Sequence, residues 1–202
     1  TFFVFADYER PALRLRALQE LPAVSELTHD SIYVGEDGPT HQPIEHIMSY
    51  RAIPNLLVLR PADANEAVVA CKIAFEQKNR PSLVLLTRQS IPVFDRAIYP
   101  GHCSFKQGGY IMVDEKNPDI LIFATGSEVW VALETKDMLN KNNGYKVKVV
   151  NMGCWELFDE QSDDYKSKVL SANNDTLLVS IEAGITNGWQ KYTGRRGLNI
   201  GI

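Results

Sequence analysis

Between His29 and His41 the chain sets out His29, Asp30, Ser31, Glu36, Asp37 and His41, six side chains that can move protons, bind a metal or grip a sugar. Gly35, Gly38 and Pro39 punctuate them, and Gly-Glu-Asp-Gly-Pro is a strong turn signal. Such a turn is expected to point Asp37 and His41 into one cleft. Three chemistries suit these residue types. Asp and Ser commonly satisfy backbone groups in turns. Neutral imidazole and carboxylate suit zinc or manganese, which would make His29, Asp37 and His41 ligands, although no spacing here places two of them on adjacent helical turns. A polyol and phosphate grip is the third, because imidazoles donate to hydroxyls and phosphate while a carboxylate accepts from a sugar hydroxyl. Residue types and spacing leave all three open.

Two further features stand close by in sequence. Phe2, Phe5 and Tyr8 recur at i, i+3 and i+6, near one face of a helical turn. By itself that stripe reads as ordinary core. Arg88 closes the apolar run SLVLLTRQ, where an Arg is most simply a surface charge.

Rigid elements must carry these groups. A helix is expected over Asp7–Leu21, with Pro11 near its start, followed by the short run Pro22–Leu27. Pro43 suits the first position of the next helix, and Leu56–Leu59 is a compact apolar strand. Asp63-Ala64-Asn65-Glu66 matches a capping box, opening a helix to about Gln77 that buries Ala67, Val68, Cys71 and Phe75. Leu83–Thr87 is a second strand. From Ser90 to Gln107 no period survives, which predicts a linker. Strands then return at Tyr110–Val113, Ile120–Ala124, Lys146–Val150 and Thr176–Ile181, with helices from Gly126-Ser127-Glu128 to about Lys141, capped by Ser127, and around Glu160–Leu170. Short strands alternating with helices predict an α/β fold: two three-layer segments with mainly parallel sheets. Open sheets of this kind bind ligands beyond the carboxyl ends of their strands, where the polar loop leaves Pro22–Leu27.

Composition excludes some classes. The 202 residues are 45% hydrophobic with a formal charge of -4, and the longest basic cluster is the pair Arg195–Arg196. Nucleic acid is therefore not an expected partner. Cys71, Cys103 and Cys154 form no CxxC pair, so neither a disulfide framework nor a zinc ribbon is indicated, and Cys71 reads as a buried thiol. No run of 18 apolar residues predicts a membrane helix. The opening lacks a secretory pattern and a starting Met, so the expectation is a piece of a longer polypeptide in a reducing, cytoplasmic setting. His46 reads as structural, His102 as solvated, and Trp155 and Trp189 as packing or partner-facing residues.

The stretch THDSI-x-VGEDGPTHQPIEH resembles transketolases nearly letter for letter. TFFVFADYERPALRLRAL, RAIPNLLVLRPADANEAV, SLVLLTRQSIPV, ILIFATGSEVWVALE, VVNMGCWELFDEQ and IEAGITNGW extend that likeness, in family order, over nearly the whole chain. The resemblance implies residues 1–95 as the later part of a pyrimidine-binding domain, 96–106 as linker and 107–202 as the beginning of a C-terminal domain, both segments incomplete. It implies thiamine diphosphate shared between the subunits of a homodimer, with the pyrimidine ring against Phe2, Phe5 and Tyr8. Asp37 would bond a donor-sugar hydroxyl, His41 would handle protons near the reactive carbon, and His29 with Arg88 would hold the acceptor's phosphate. The magnesium and diphosphate ligands, and the Glu that activates the cofactor, would lie outside these residues, so no metal ligand is assigned here. The implied reaction transfers a two-carbon ketol unit from a ketose phosphate to an aldose phosphate in the pentose phosphate pathway, and the 202 residues alone are expected to be inactive. Two rival readings are dihydroxyacetone synthase, with formaldehyde as acceptor, and a non-catalytic partner subunit of a split transketolase. Tyr33 stands where the family usually has Gly, and Ser25 with Glu26 where relatives carry an apolar strand.

Overall fold

The chain does not enter a single long helix at Asp7. In the computed structural model, which describes residues 1–202, Phe3–Tyr8 winds as a 3-10 turn that buries Phe3 and Ala6. A separate helix α1 (Arg10–Leu18) follows, with Pro11 in its first turn and Leu13 and Ala17 facing inward. Strand β1 (Val24–Thr28) leads into the polar loop, which holds two more 3-10 turns, Ile32–Val34 and Pro39–His41. Helix α2 (His46–Arg51) begins three residues later than Pro43 suggests. Strand β2 (Leu57–Leu59), helix α3 (Ala64–Glu76) and strand β3 (Ser82–Leu86) complete the first unit.

Its three strands are parallel in the order β1-β3-β2, with Thr28 level with Leu86 and Leu57 with Ser82. Side chains alternate across a strand. Val58, Leu83 and Leu85 therefore pack with Phe3, Leu13 and Ile47 on one face, while Leu57, Leu59 and Val84 join α3 on the other.

Helix α3 corrects the expected face. Val68 and Phe75 are 70% and 74% exposed, Cys71 is half-buried, and the inward side is Glu66, Val69, Ala70, Ile73 and Ala74. An apolar run all round the helix carries no phase; Glu66 supplies it. Its carboxylate accepts from the Ala62 amide at 2.9 Å, from Asn151 at 3.1 Å and from the Tyr110 hydroxyl, which fixes the helix's rotation. Burial pushes the Glu66 carboxyl up, and these donors only partly offset it. Asp63 caps the helix as expected, accepting from the Glu66 amide at 2.8 Å. It also holds the connecting segment, through the Phe94 amide at 3.0 Å and Arg96 at 2.7 Å. Phe94 and Phe105 are buried and pin the segment at two points, while the rest of residues 90–107 are half-buried or exposed.

The second unit contains β4 (Tyr110–Val113), β5 (Ile120–Ala124), α4 (Glu128–Asn143), β6 (Val147–Asn151), α5 (Trp155–Asp159), α6 (Asp163–Val169), β7 (Leu177–Ile181), α7 (Gln190–Thr193) and β8 (Leu198–Ile200). The strand order is β4-β6-β5-β7-β8, parallel except for β4 against β6. Ser127 does not cap α4 through a backbone amide; its hydroxyl donates to Glu128 at 2.6 Å. From β5 the chain moves to β6 on one side and then to β7 on the other. Strand order thus reverses between β5 and β7, the position where doubly wound sheets open a ligand crevice.

The first unit fills that crevice. β2 is a free sheet edge, and unpaired edges must be covered. The Val58 amide donates to Glu156 at 3.2 Å, the Arg60 amide to the Gly153 carbonyl at 2.8 Å, and the Arg60 carbonyl accepts from the Gly126 amide at 3.2 Å. The Arg60 side chain is fully buried between Asp30 at 2.7 Å, the Thr125 hydroxyl at 2.8 Å and the Glu128 carboxylate. Beside it Arg51 makes a bidentate pair with Glu182, both contacts 2.8 Å, and lies 4.1 Å over the Trp155 ring.

Burial alone would raise the Glu182 carboxyl, but Arg51, Arg60 and the Thr125 hydroxyl outweigh it and hold it below its ordinary value of 4.5. A carboxylate of lowered pKa contributes stability that is present above 4.5 and is lost as pH falls through the depressed folded value. Glu182→Gln leaves Arg51 buried without its counter-charge, so the variant is expected to lose about 3–5 kcal/mol at neutral pH. The gap from the parent should shrink on acidification below 4.5. Denaturant melts of both proteins across pH check this; a gap that is absent at neutral pH, or widens in acid, contradicts it.

Candidate functional site

His29 and Arg88 leave adjacent parallel strands at the same sheet edge. Thr28 is level with Leu86, so His29 lies one residue and Arg88 two residues beyond that rung. His29 takes a left-handed backbone, φ 58°, which a non-glycine residue holds only when its surroundings over-determine it, at a strain of about 1–3 kcal/mol. Two contacts do so locally. Its ring stacks on Phe2 with centroids 3.7 Å apart, and its Nδ1 pairs with the Thr28 hydroxyl at 2.9 Å.

The aromatic row is set by the 3-10 turn, in which residues three apart eclipse. Phe2 and Phe5 lie 6.3 Å apart and Phe5 and Tyr8 6.4 Å, with small interplanar angles in each case. Phe3 and Ala6, on the other side, are the core residues. The row itself is open: Phe5 is 38% exposed and Tyr8 88%. Phe2 differs from its neighbours in the row, because His29 already covers one of its faces.

His41 closes the group. It ends the turn Pro39–His41 and sets its ring edge against Phe5 at 5.3 Å and Phe2 at 6.3 Å. The Thr40 hydroxyl meets its Nδ1 at 2.9 Å, which leaves Nε2 as the nitrogen free for a ligand. Arg88 is exposed and forms no ion pair within the chain; its guanidinium lies against Gly35, close enough that an added Cβ would sit 3.4 Å from Cζ. At φ 91° Gly35 also holds a conformation that side chains disfavour. Asp37, two residues on, is exposed and makes no hydrogen bond within the chain. The structure thus joins Phe2, Phe5, His29 and His41 by direct ring contacts. Arg88 is tied to the loop through Gly35, and Asp37 is carried on the same turn.

His29, Asp37 and His41 do not form a metal-ligand set. The cluster with ligand spacing is Asp7, Glu45 and His46. There Asp7 faces Nε2 at 3.2 Å and Glu45 faces Nδ1 at 3.6 Å, so buried His46 stands between two acceptors on opposite sides of its ring. That supports its structural reading. Arg10 and His46 outweigh burial to hold the Asp7 carboxyl below its ordinary value. Trp155 and Trp189 are buried and packed edge-to-face at 4.7 Å, while His102 is half-buried rather than solvated. Tyr33 lines a cleft with Ile32, Val131, Ile181 and Ile200. Ser25 donates to Glu9 at 2.8 Å and Glu26 is exposed, so neither burdens β1.

Residues 1–93 match the transketolase pyrimidine-binding domain model, and residues 108–202 the transketolase-like C-terminal domain model. The fold is thus a pyrimidine-binding α/β domain followed by its C-terminal companion. Transketolases of Zea mays (chloroplastic) and Aquifex aeolicus are 50% and 49% identical over the whole chain, which spans 30% and 29% of their lengths. A solved Pichia stipitis transketolase in complex with sedoheptulose-7-phosphate superposes with a TM-score of 0.93 at 41% identity, covering all of this chain and 29% of that one. A split-gene transketolase, described as an inactive beta4 tetramer, shares the fold with a TM-score of 0.71 at 24% identity, and the chain covers 65% of it. The chain belongs to the transketolase family.

The left-handed His29 backbone yields a direct test. Asn tolerates this conformation and Val resists it. His29→Val is expected to melt with at least about 1 kcal/mol less stability than His29→Asn. Equal stabilities, or the reverse order, would show that His29 is not strained.

Proposed function

We propose that this chain supplies one wall of a transketolase active site, in which a two-carbon ketol unit passes from a ketose phosphate to an aldose phosphate, as in the pentose phosphate pathway. The supporting observation is the ring contact chain His29–Phe2–Phe5–His41 at the carboxyl edge of β1 and β3. On this reading, the imidazoles and open aromatic faces of that chain would meet one small ligand.

The open faces of Phe5 and Tyr8 fit a flat heteroaromatic ring, with Phe2 backing His29 at the inner end. Phe2, Phe5 and Tyr8 would hold the pyrimidine of thiamine diphosphate. That cofactor, when bound, supplies the electron sink for cleaving the bond beside the sugar's carbonyl. The metal-spaced group in this chain is bound up with His46, and the ligands for Mg2+ and diphosphate are assigned outside these residues, in a homodimer whose partner completes the site.

In the tautomer whose Nδ1 accepts from the Thr40 hydroxyl, His41 would carry its proton on Nε2 and present it to the substrate oxygen where charge develops. Asp37 accepts from a donor-sugar hydroxyl, and the unpaired carboxylate discriminates against sugars lacking it. His29 and Arg88 grip the acceptor's phosphate; Arg88, free of any carboxylate in the chain, keeps its planar fork for two phosphate oxygens. For location, the unpaired Cys71, Cys103 and Cys154 support a reducing compartment, taken here as the cytoplasm. No helix is long and apolar enough to cross a membrane, and neither nucleic acid nor membrane is proposed as a partner.

In the complete enzyme, Arg88→Ala is expected to raise KM for a phosphorylated acceptor by about 10- to 100-fold, the loss of charged hydrogen bonds, with kcat little changed. His41→Ala should lower kcat by about 100-fold or more. Steady-state kinetics with phosphorylated and unphosphorylated acceptors check both. If Arg88→Ala leaves the phosphorylated acceptor's KM unaltered, the phosphate grip is wrong and a small aldehyde such as formaldehyde becomes the better acceptor. The 202 residues alone, given thiamine diphosphate and Mg2+, should show no turnover.

A further inference from the structure

We propose that Arg60 is a positioning residue for the phosphate-gripping end of the site, and that the second unit works as a clamp on the loop through it. This rests on the sugar-phosphate reading above. The crevice beyond β5 and β7, where a doubly wound domain would hold its ligand, holds the Arg60 guanidinium. Nη1 donates to the Thr125 carbonyl at 3.1 Å, to the Thr125 hydroxyl at 2.8 Å and to the Glu128 carboxylate, with Glu182 3.9 Å away. Gly126 makes the cradle, since a Cβ there would lie 2.8 Å from Nε and its φ is 55°. The remaining edge of the fork faces the first unit. Nε donates to Asp30 at 2.7 Å, and Asp30 is 1% exposed and directly follows the left-handed His29.

Arg60 therefore links the second sheet to the residue beside the proposed phosphate ligand. Aliphatic side chains in place of the whole cluster could fill this space without burying charges, and such wholesale replacements are often no less stable. Direction is what an aliphatic side chain lacks. The rigid fork fixes the Thr125–Glu128 side relative to the Asp30 side at a set angle. His29 is thereby held from both directions: Phe2 orients its ring, and the Asp30–Arg60 bond anchors its backbone. A Lys at position 60 keeps the charge but cannot span both sides.

The test uses the complete thiamine-loaded enzyme with three substitutions, Arg60→Lys, Asp30→Asn and Gly126→Ala, each first checked for wild-type secondary structure by circular dichroism. Amide hydrogen exchange across residues 29–34 should speed up about tenfold or more, with the strands β1 and β3 and the Pro39–His41 turn unchanged. KM for a phosphorylated acceptor should rise about tenfold, while kcat and the KM of its unphosphorylated analogue stay within about twofold. Exchange in 29–34 that matches wild type in the folded variants, or a loss shared equally by both acceptors, overturns the proposal. If Arg60→Lys does not fold, the milder Asp30→Asn and Gly126→Ala decide. If wild-type enzyme shows no preference for phosphorylated acceptors, the sugar-phosphate reading fails by itself, and the exchange measurement still decides whether Arg60 holds the loop.

Discussion

A guanidinium with no exposure to water dictates how the halves of this molecule meet. Stripping water from Arg60 is costly, and only a surrounding set of acceptors in good geometry offsets it. Those acceptors come from both units: Asp30 from the first, Thr125, Glu128 and Glu182 from the second. Their summed charge keeps Arg60 even more firmly protonated than usual, against the effect of burial. Parting the units would break these ion pairs and open the cluster to water. Arg51 and Glu182 repeat the arrangement one step away, and Trp189 donates to the same carboxylate at 3.0 Å.

From that junction the site follows. Arg60 directly follows strand β2, its bond to Asp30 places the first residues of the loop, and His29 is turned back over Phe2. The 3-10 turn then aligns Phe5 and Tyr8 beyond it, and the turn Pro39–His41 returns His41 to the same rings. Phe5 and Tyr8 keep open faces, as the proposed ligand role requires, because Phe3 and Ala6 take the buried positions of the same turn. Core and crevice are thus two sides of one short segment.

Much of this was legible in the residues and some was not. The βαβ alternation was readable because β2, β3, β5 and β7 are mainly apolar runs bounded by turn residues, and β6 is rich in Val. The density of His and Asp in the loop was equally plain, but the residues alone could not separate a metal site from a sugar grip; the family likeness carried that step. The inward face of α3 was misread because Ala, Val, Ile and Phe ring the helix and leave no period, whereas the deciding residue was the buried Glu66. Short α5, α7 and β8 lie below the length at which periodicity speaks. Strand β4 reads like its parallel neighbours, and only its partner, β6, makes it antiparallel. Arg60 left no local signal at all: an Arg at the end of LLVLR looks like a surface charge until a second sheet closes over it. Thr40, orienting His41, was likewise visible only by its distance from Nδ1.

The dependence of both units on one buried cation can be measured by following tryptophan fluorescence and the CD of the backbone through a denaturant titration of the 202-residue chain and of Arg60→Met. Trp130, Trp155 and Trp189 all belong to the second unit, so fluorescence reports that unit and CD reports both. Coupled units predict one coincident transition for the parent chain and, for Arg60→Met, two separated transitions with the first unit melting at lower denaturant. Separate transitions already in the parent, or an unchanged single transition in Arg60→Met, would contradict the central role given to Arg60.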